Sequence, residues 1–230
     1  MPFAGSRSIP ALDGLRYLDG EANMMQINSR INLEHLLREM IERPEKQAEI
    51  TQVIDDVFGQ DKAVMVLDMC GFCRTTRDHC IITVLSMIYQ MQSLSRPCIE
   101  AQGGRLIKAE ADNIYCLFDT VIDALRAHRQ IHSCLTSSNN LSPEHCHLNI
   151  STGIGYGHIL NIEDKDLFGA EVNLASKLGE DVANGGEILL TENAFVQLQE
   201  VGSFAREETI EISEFSLRYH VLYDSLLVSV

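Results

Sequence analysis

From Lys62 onward, short apolar runs alternate with longer helical segments, and this alternation limits the possible folds more than any other feature. The short runs have the length and composition of strands, and the longer ones carry apolar residues at helical spacing. Strands are predicted at 63–68, 105–110, 113–118, 147–154 and 187–190 and in a terminal hairpin, with helices ending near 102 and covering 120–135, 170–183 and 192–199. The order predicts an α+β fold, a ferredoxin-like βαββαβ core with an added αβ unit and a C-terminal hairpin, with helices on one face of the sheet.

The residues before this alternation predict a separate helical extension. Asn32 is placed as the cap of a helix that runs through Arg43, and Pro44 suits the start of a second helix ending at Phe58. We therefore expect an extension over residues 1–60 and a main domain over residues 61–230. The extension could cover the main domain or pair with a second copy of the chain.

Two aspartates stand at strand ends in this scheme. Asp68 closes the first strand, and Asp112 lies between the two strands of the following hairpin. The predicted topology sets the first strand beside this hairpin, so both side chains are expected at the same end of the sheet. Two carboxylates there form a hard oxygen site suited to Mg²⁺ or Mn²⁺, and such sites usually handle phosphates. The alternative is that they are ordinary turn residues.

Charge and cysteine content narrow the partners and the compartment. The formal net charge of −15 argues against a nucleic-acid-binding surface, which needs a basic stripe, and against an anionic membrane surface. No stretch reaches the length of about 18 apolar residues that a membrane-spanning helix needs, and no signal peptide is recognisable. Seven scattered cysteines favour reduced thiols over a disulfide framework, so we expect a cytoplasmic protein.

Three motifs lie in register along the chain, at 66–72 (VLDMCGF), 103–112 (GGRLIKAEAD) and 166–178 (DLFGAEVNLASKL). In order and spacing they resemble the catalytic domain of the class III nucleotidyl cyclases, the adenylate and guanylate cyclases. The likeness covers about residues 60–225. It implies an adenylate cyclase, which converts ATP to 3′,5′-cyclic AMP and pyrophosphate by two-metal catalysis.

The resemblance implies where the metals and the triphosphate bind. Asp68 and Asp112 map onto the two aspartates that hold two Mg²⁺ or Mn²⁺ ions per site, and Met69 joins them in the metal set. The backbone that follows would wrap the phosphates, where a glycine allows close approach. The substrate-binding residues implied in this segment are Cys70, Gly71, Phe72 and Cys73.

The resemblance also implies how the nucleoside is recognised. Lys108 and Asp166 fill the two positions that read adenine, since lysine donates to a ring nitrogen and a carboxylate accepts from the exocyclic amine. Guanine would present a carbonyl to that carboxylate, so ATP is favoured over GTP. Asn173 maps onto the residue that orients the ribose, and Lys177 stands where the family has its transition-state arginine. In this family the metal and the nucleoside half-sites come from opposite subunits, which implies a homodimer.

Several positions depart from the family pattern. Lys177 keeps the charge of arginine but not its planar fork, which should weaken stabilisation of the α-phosphate. The terminal hairpin, Ile212-Ser213-Glu214-Phe215-Ser216, lacks the usual triphosphate-binding lysine, and Cys73 replaces a threonine. Two alternatives therefore stay open: a weakened cyclase-like domain that binds nucleotide or a partner for regulation, and a cyclase for another nucleotide, GTP or a pyrimidine.

Other patterns allow different interpretations. Cys70 and Cys73 form a C-x-x-C pair, which elsewhere indicates redox chemistry, and with His79 and Cys80 they could form a zinc site. The first pattern is short and lacks its usual partners, and the second lacks another ligand pair. Lys108 and Asp166 could simply form a salt bridge.

Overall fold

The computed structural model describes residues 27–70, 80–199, 205–212 and 215–222. The chain divides into two compact units, with the boundary between Phe58 and Gly59. The first unit contains helix α1 (Arg30–Glu42), a 3₁₀ turn (Pro44–Lys46) and helix α2 (Gln47–Phe58).

The start of helix α1 differs from the prediction. Its N-cap is Ser29, whose Oγ accepts from the backbone N–H of Asn32 at 3.2 Å. Asn32 lies inside the first turn, is buried, and donates from Nδ2 to the carbonyl of Ile27 at 2.8 Å. The hydroxyl of Ser29 satisfies one of the free N–H groups of the first turn, which is the role predicted for Asn32.

The second unit contains eight strands and four α-helices among its described residues. In chain order these are β1 (Gly59–Met69), α3 (Ile81–Ala101), β2 (Arg105–Glu110), β3 (Asn113–Phe118), α4 (Val121–Asn139), β4 (Ile150–Ile162), β5 (Asp166–Phe168), α5 (Ala170–Lys177), β6 (Ile188–Thr191), α6 (Glu192–Gln199), β7 (Ala205–Ile212) and β8 (Phe215–Leu222). A π-helical turn (Leu178–Val182) directly follows α5, and a 3₁₀ turn (Glu144–Cys146) precedes β4.

The strands form one sheet in the order β2-β3-β1-β4-β6-β8-β7, and β5 pairs with the C-terminal end of β4. The first four are antiparallel neighbours, which is the strand order of a ferredoxin-like core. Strand β6 adds parallel to β4, and the β7–β8 hairpin completes the sheet. The predicted core, added αβ unit and hairpin are thus all present.

Helices cover both faces of the sheet, so the prediction of a single helical face was wrong. Met65 and Leu67 of β1 face helices α3 and α4, and this side holds the larger core cluster. Val64 and Val66 point the opposite way and pack against Val172 of helix α5. Since side chains alternate along a strand, the even-numbered residues of β1 define a second buried face.

Helix α5 approaches β4 closely, because two glycines of that strand face it. A Cβ atom at Gly153 would lie 2.0 Å from the carbonyl oxygen of Ala175, and one at Gly155 would lie 2.7 Å from that of Glu171. Both distances are far below van der Waals contact. The helix therefore rests on bare backbone, and glycine is required at both positions.

Strand and helix lengths depart from prediction mainly on β1, β4 and α5. Strand β1 begins at Gly59, and β4 runs on to Ile162, because β4 pairs with β1 from Gly59 to Met69 and then with β5. Helix α5 ends at Lys177, whereas the prediction extended it to residue 183. Within the described ranges, six cysteines are free thiols and no helix is long and apolar enough to cross a membrane.

Candidate active site

Asp68 and Asp112 lie next to each other at one end of the sheet. Asp68 pairs in register with Asn113, the residue that follows Asp112. The backbone N–H of Met69 donates to the carbonyl oxygen of Asp112 at 3.3 Å, which holds the two strand ends together. Asp68 also accepts a hydrogen bond from Ser151 of β4 at 3.4 Å. The antiparallel pairing of β1 with β3 thus produces the juxtaposition that the topology predicted.

Negative charge accumulates around this pair. Partial burial and the neighbouring carboxylates of Asp112 and Glu180 raise the pKa of Asp68 from 3.8 to about 6. Burial, with a further contribution from Glu180, also raises the pKa of Asp112. Such mutual repulsion is what a bound cation would relieve.

The donors at this end of the sheet fit a divalent cation. Carboxylate oxygens are preferred ligands of Mg²⁺ and Mn²⁺, and the Oδ1 of Asn113 is buried without a hydrogen-bond partner among the described residues. The side chain of Met69 is buried, so this residue could contribute only through its backbone. Within the described ranges no group of three or more His, Cys, Asp or Glu side chains is arranged to hold a metal ion, so the pair would need backbone or substrate oxygens to complete a coordination shell.

Asp68 is expected to make the metal-free protein less stable as the pH rises. Its folded pKa of about 6 exceeds the unfolded value of 3.8, so folding favours the protonated form. The penalty is absent below the unfolded pKa and is complete above pH 6. Solvent screening of this half-exposed group leaves about 1 kcal/mol, so Asp68→Asn should raise Tm by about 2–4 °C at pH 7.5. Thermal unfolding in a metal chelator at pH 7.5 and pH 4 checks this, because the difference should shrink at pH 4.

Asp119→Asn is the matched control for that measurement. Asp119 follows the neighbouring strand β3, is exposed, and has a lowered pKa because of its hydrogen bond to Lys62. Its removal should not raise Tm at pH 7.5. An Asp68→Asn variant with unchanged or lower Tm at both pH values would contradict the expected cost of burying the charged Asp68 carboxylate beside other carboxylates.

Lys108 and Asp166 meet on the same face of the sheet. The Lys108 ammonium donates to Asp166 Oδ1 at 3.2 Å and lies 3.4 Å from Glu110. Burial acts to lower the pKa of Lys108, but the hydrogen bond and charge of Asp166 outweigh it, so the pKa is raised. Both side chains of the Lys108–Asp166 pair remain 24% exposed, so a ligand can reach them. The salt bridge considered from the sequence is present and combines the two residues predicted to read adenine.

Asn173 and Lys177 lie one turn apart on helix α5. Asn173 is exposed, and Lys177 donates from Nζ to Asp181 of the π turn at 2.5 Å. Lys177, which the family resemblance assigns to the transition-state position, is therefore paired within its own chain. Both partners are substantially exposed, so this i,i+4 pair is weak and can open.

Glu171 was not singled out from the sequence, yet it fixes the start of helix α5. Its buried carboxylate accepts from Thr191 Oγ1 at 2.6 Å, Asn193 Nδ2 at 2.7 Å and the backbone N–H of Tyr156 at 3.2 Å. All three partners are donors, so the carboxylate is fully used in its buried position. The position of an acidic residue on the apolar, inward-facing side of a predicted helix was the sequence signal that could have identified Glu171.

Glu180 and Tyr115 were also missed. Tyr115 of β3 donates its hydroxyl to Glu180 at 2.8 Å, and Ser176 of helix α5 donates to the same carboxylate oxygen. The ring of Tyr115 lies beneath Lys108, with the ammonium 4.7 Å from the ring centroid. These contacts connect the lysine–aspartate pair to helix α5. The Tyr115 hydroxyl reaches Ser176 and Glu180, which are 61 and 65 positions away in sequence, so no local pattern reveals these two contacts.

Some of the predicted residues cannot be placed. Gly71, Phe72, Cys73 and His79 lie outside the described residues, as do Ser213 and Glu214 of the terminal hairpin. Cys70 is described: its Sγ lies 3.3 Å from the hydroxyl of Ser151, beside Asp68.

Comparison with solved structures identifies the architecture. An adenylate/guanylate cyclase/hydrolase from Silicibacter pomeroyi superposes with a TM-score of 0.60 at 22% identity, covering 72% of this chain and 98% of that one. The adenylyl cyclase CyaB from P. aeruginosa gives 0.56 at 22% identity, over 72% and 96%. The guanylate cyclase domain of RhGC from Catenaria anguillulae, in complex with GTP, gives 0.58 at 12% identity, over 71% and 96%. The chain has the fold of a class III cyclase catalytic domain.

Sequence comparison agrees with the cyclase fold at lower coverage. A putative adenylate cyclase 3 from Rhizobium meliloti (strain 1021) is 23% identical over 130 residues, which are 56% of this chain and 22% of that protein. The match thus spans about a fifth of that relative's length. No protein-family model matches the chain. Since the similar structures include adenylate and guanylate cyclases, the cyclase fold leaves the nucleotide open.

Proposed function

We propose that this protein is an adenylate cyclase, which forms 3′,5′-cyclic AMP and pyrophosphate from ATP. We base this on one observation above all: Lys108 and Asp166 meet as a partly exposed pair on the sheet face that also carries Asp68 at its end. In the class III cyclases, Lys108 and Asp166 correspond to the pair that reads the base, and Asp68 corresponds to one of the two aspartates that bind the metal ions. Residues 61–230 form the catalytic domain in this proposal, and residues 1–60 a helical extension.

The nucleoside half-site acts through Lys108, Asp166 and Asn173. The Lys108–Asp166 contact opens as adenine enters, so that the ammonium donates to a ring nitrogen and the carboxylate accepts from the exocyclic amine. A guanine carbonyl would face that carboxylate without a hydrogen to share. Asn173, which is exposed on helix α5, orients the ribose.

The phosphate half-site acts through Asp68, Asp112 and Lys177. Divalent cations bound by the two aspartates would activate the ribose 3′-hydroxyl and neutralise the triphosphate. Lys177 leaves Asp181 and donates to the α-phosphate as its charge builds up. Because the metal half-site of one protomer serves the nucleoside half-site of its partner, we propose a homodimer with two equivalent sites.

The direct test is turnover of four nucleoside triphosphates by the purified protein with Mn²⁺ or Mg²⁺. ATP should give 3′,5′-cyclic AMP and pyrophosphate in equal amounts, faster than GTP, CTP or UTP give their cyclic products. A preference for GTP or a pyrimidine would replace adenylate cyclase with a cyclase for that nucleotide. Product no greater than that of Asp112→Ala would refute the enzymatic function.

Nucleotide binding without turnover is the second candidate. One observation favours it: Lys177 replaces the family's arginine, and its ammonium is held by Asp181. ATP affinity in the absence of any product would support this candidate.

Lys177→Arg separates a slow enzyme from a silent one. Arginine offers a planar fork of donors to the α-phosphate, so kcat for ATP should rise by about tenfold while KM changes little. Steady-state kinetics with saturating Mn²⁺ measures both constants. Lys62→Arg is the control, since Lys62 pairs with the exposed Asp119 at the opposite end of β3 from Asp112. An unchanged kcat would show that position 177 does not meet the reacting phosphate.

A further inference from the structure

The ring of Tyr115 supports the ammonium of Lys108 from below. The two residues are register partners on β3 and β2, and the ammonium lies 4.7 Å from the ring centroid. The register shifts between Leu106 and Lys108, so a bulge sets where the lysine projects. A cation at this distance over an aromatic face is attracted by the ring's electron density.

The ring itself is firmly placed. Tyr115 is 9% exposed and belongs to the core cluster of the second sheet face, with Val66 and Ile107. Its hydroxyl donates to Glu180 at 2.8 Å and lies 3.4 Å from Ser176. Core packing fixes the plane of the Tyr115 ring, and the hydrogen bond to Glu180 fixes the hydroxyl end of the ring. The ring face under Lys108 therefore has one orientation.

An aromatic face stabilises the charge of Lys108 without occupying any of its hydrogen-bond donors, which a carboxylate cannot do. Asp166 and Glu110 stabilise the ammonium by accepting its hydrogen bonds. A base that displaces Asp166 needs a donor from the same ammonium. The Tyr115 ring stabilises the charge and uses none of the three N–H donors, so the lysine keeps its position and charge while a donor turns to the ligand.

We propose that Tyr115 is a positioning residue for base recognition, holding Lys108 so that it donates to a purine ring nitrogen; this rests on the proposed function. Adenine offers an acceptor at that nitrogen, whereas guanine carries a hydrogen there. Loss of the ring should therefore weaken ATP binding more than GTP binding.

The test uses variants of Tyr115 that separately remove the ring, the hydroxyl and the electron density of the ring face. Tyr115→Leu removes the ring and should lower the ratio of ATP to GTP affinity by about 3- to 10-fold. Tyr115→Phe keeps the ring and should keep most of that ratio. Because leucine could unfold this buried site, Tyr115→pentafluorophenylalanine is added: it matches phenylalanine in shape but reverses the ring's charge distribution, and it should lower the ratio as leucine does. Tyr89→Leu, at an exposed position of helix α3, is the control.

Affinities are measured by calorimetry with ATP and GTP in Ca²⁺, and kcat and KM with Mn²⁺. A pentafluorophenylalanine variant with the ratio of Tyr115→Phe would overturn the inference, because a packing role is insensitive to fluorination. Equal losses in the Phe and Leu variants would also overturn it and assign the effect to the hydroxyl and Glu180. If the wild-type protein binds neither nucleotide, the proposed function is refuted. If it prefers ATP but substitutions at Tyr115 leave that preference unchanged, only the role of Tyr115 is refuted.

Discussion

Asp112→Ala is expected to lower the rate of cyclic AMP formation by about a thousandfold or more. Asp112 lies beside Asp68, and the two carboxylates are the proposed holders of the divalent cations. Removing one leaves the triphosphate charge without its counterion and the ribose hydroxyl without activation. Cyclic AMP formed per minute at saturating ATP and Mn²⁺ gives the comparison, and Mn²⁺ affinity of the nucleotide-free protein should fall as well.

Asp119→Ala is the control for that loss. It removes an aspartate one residue after β3, in an exposed ion pair with Lys62. Its rate should stay close to the wild-type rate, because it lies at the opposite end of β3 from Asp112. If Asp112→Ala retains even a tenth of the wild-type rate, the two aspartates are not the catalytic metal site.

Two inactive variants are expected to restore each other when they are co-expressed. Asp112→Ala lacks a working metal half-site, and Asn173→Ala lacks a working nucleoside half-site. Random pairing makes half of the dimers mixed, and each mixed dimer has one intact site of two. Activity should therefore recover to about a quarter of the wild-type level, from nearly zero for either variant alone.

Co-expression of Asp112→Ala with Asp68→Ala provides the opposite control. Both changes damage the metal half-site, so every dimer contains only defective sites and no activity should return. Recovery in this second pair, or none in the first, would exclude a site shared between two protomers. Affinity capture through a tag carried by only one of the two variants confirms that mixed dimers have formed.

The sequence predicted those features that follow from strand order. The β1–β3 pairing brings Asp68 beside Asp112, and that pairing could be read from the order of apolar runs. Lys108 and Asp166 were identified by their places within motifs, and the structure shows them in contact. Motif spacing carries this information because each residue sits at a fixed place on a strand or at its end.

Contacts between distant residues were beyond the sequence. Residues 63–67 of β1 are all buried, so the strand lacks the alternation that would distinguish its two faces, and the second helical face was missed. Glu171 is satisfied by Thr191 and Asn193, and Glu180 by Tyr115. An acidic residue on a helix is usually a solvated one, and the hydrogen-bond partners of these two residues can be identified only from the three-dimensional packing.

The bare-backbone contact between helix α5 and β4 has a consequence for how this site tolerates mutation. Gly153 and Gly155 contact main-chain atoms of the helix. The distance of Asn173 and Lys177 from the sheet is therefore set mostly by backbone atoms, which do not change when side chains are substituted. Substitutions among neighbouring core side chains can then accumulate without displacing these two residues. The position of the helix is therefore most sensitive to mutation at the two glycines, where even the smallest change, to alanine, would push the helix away from the sheet.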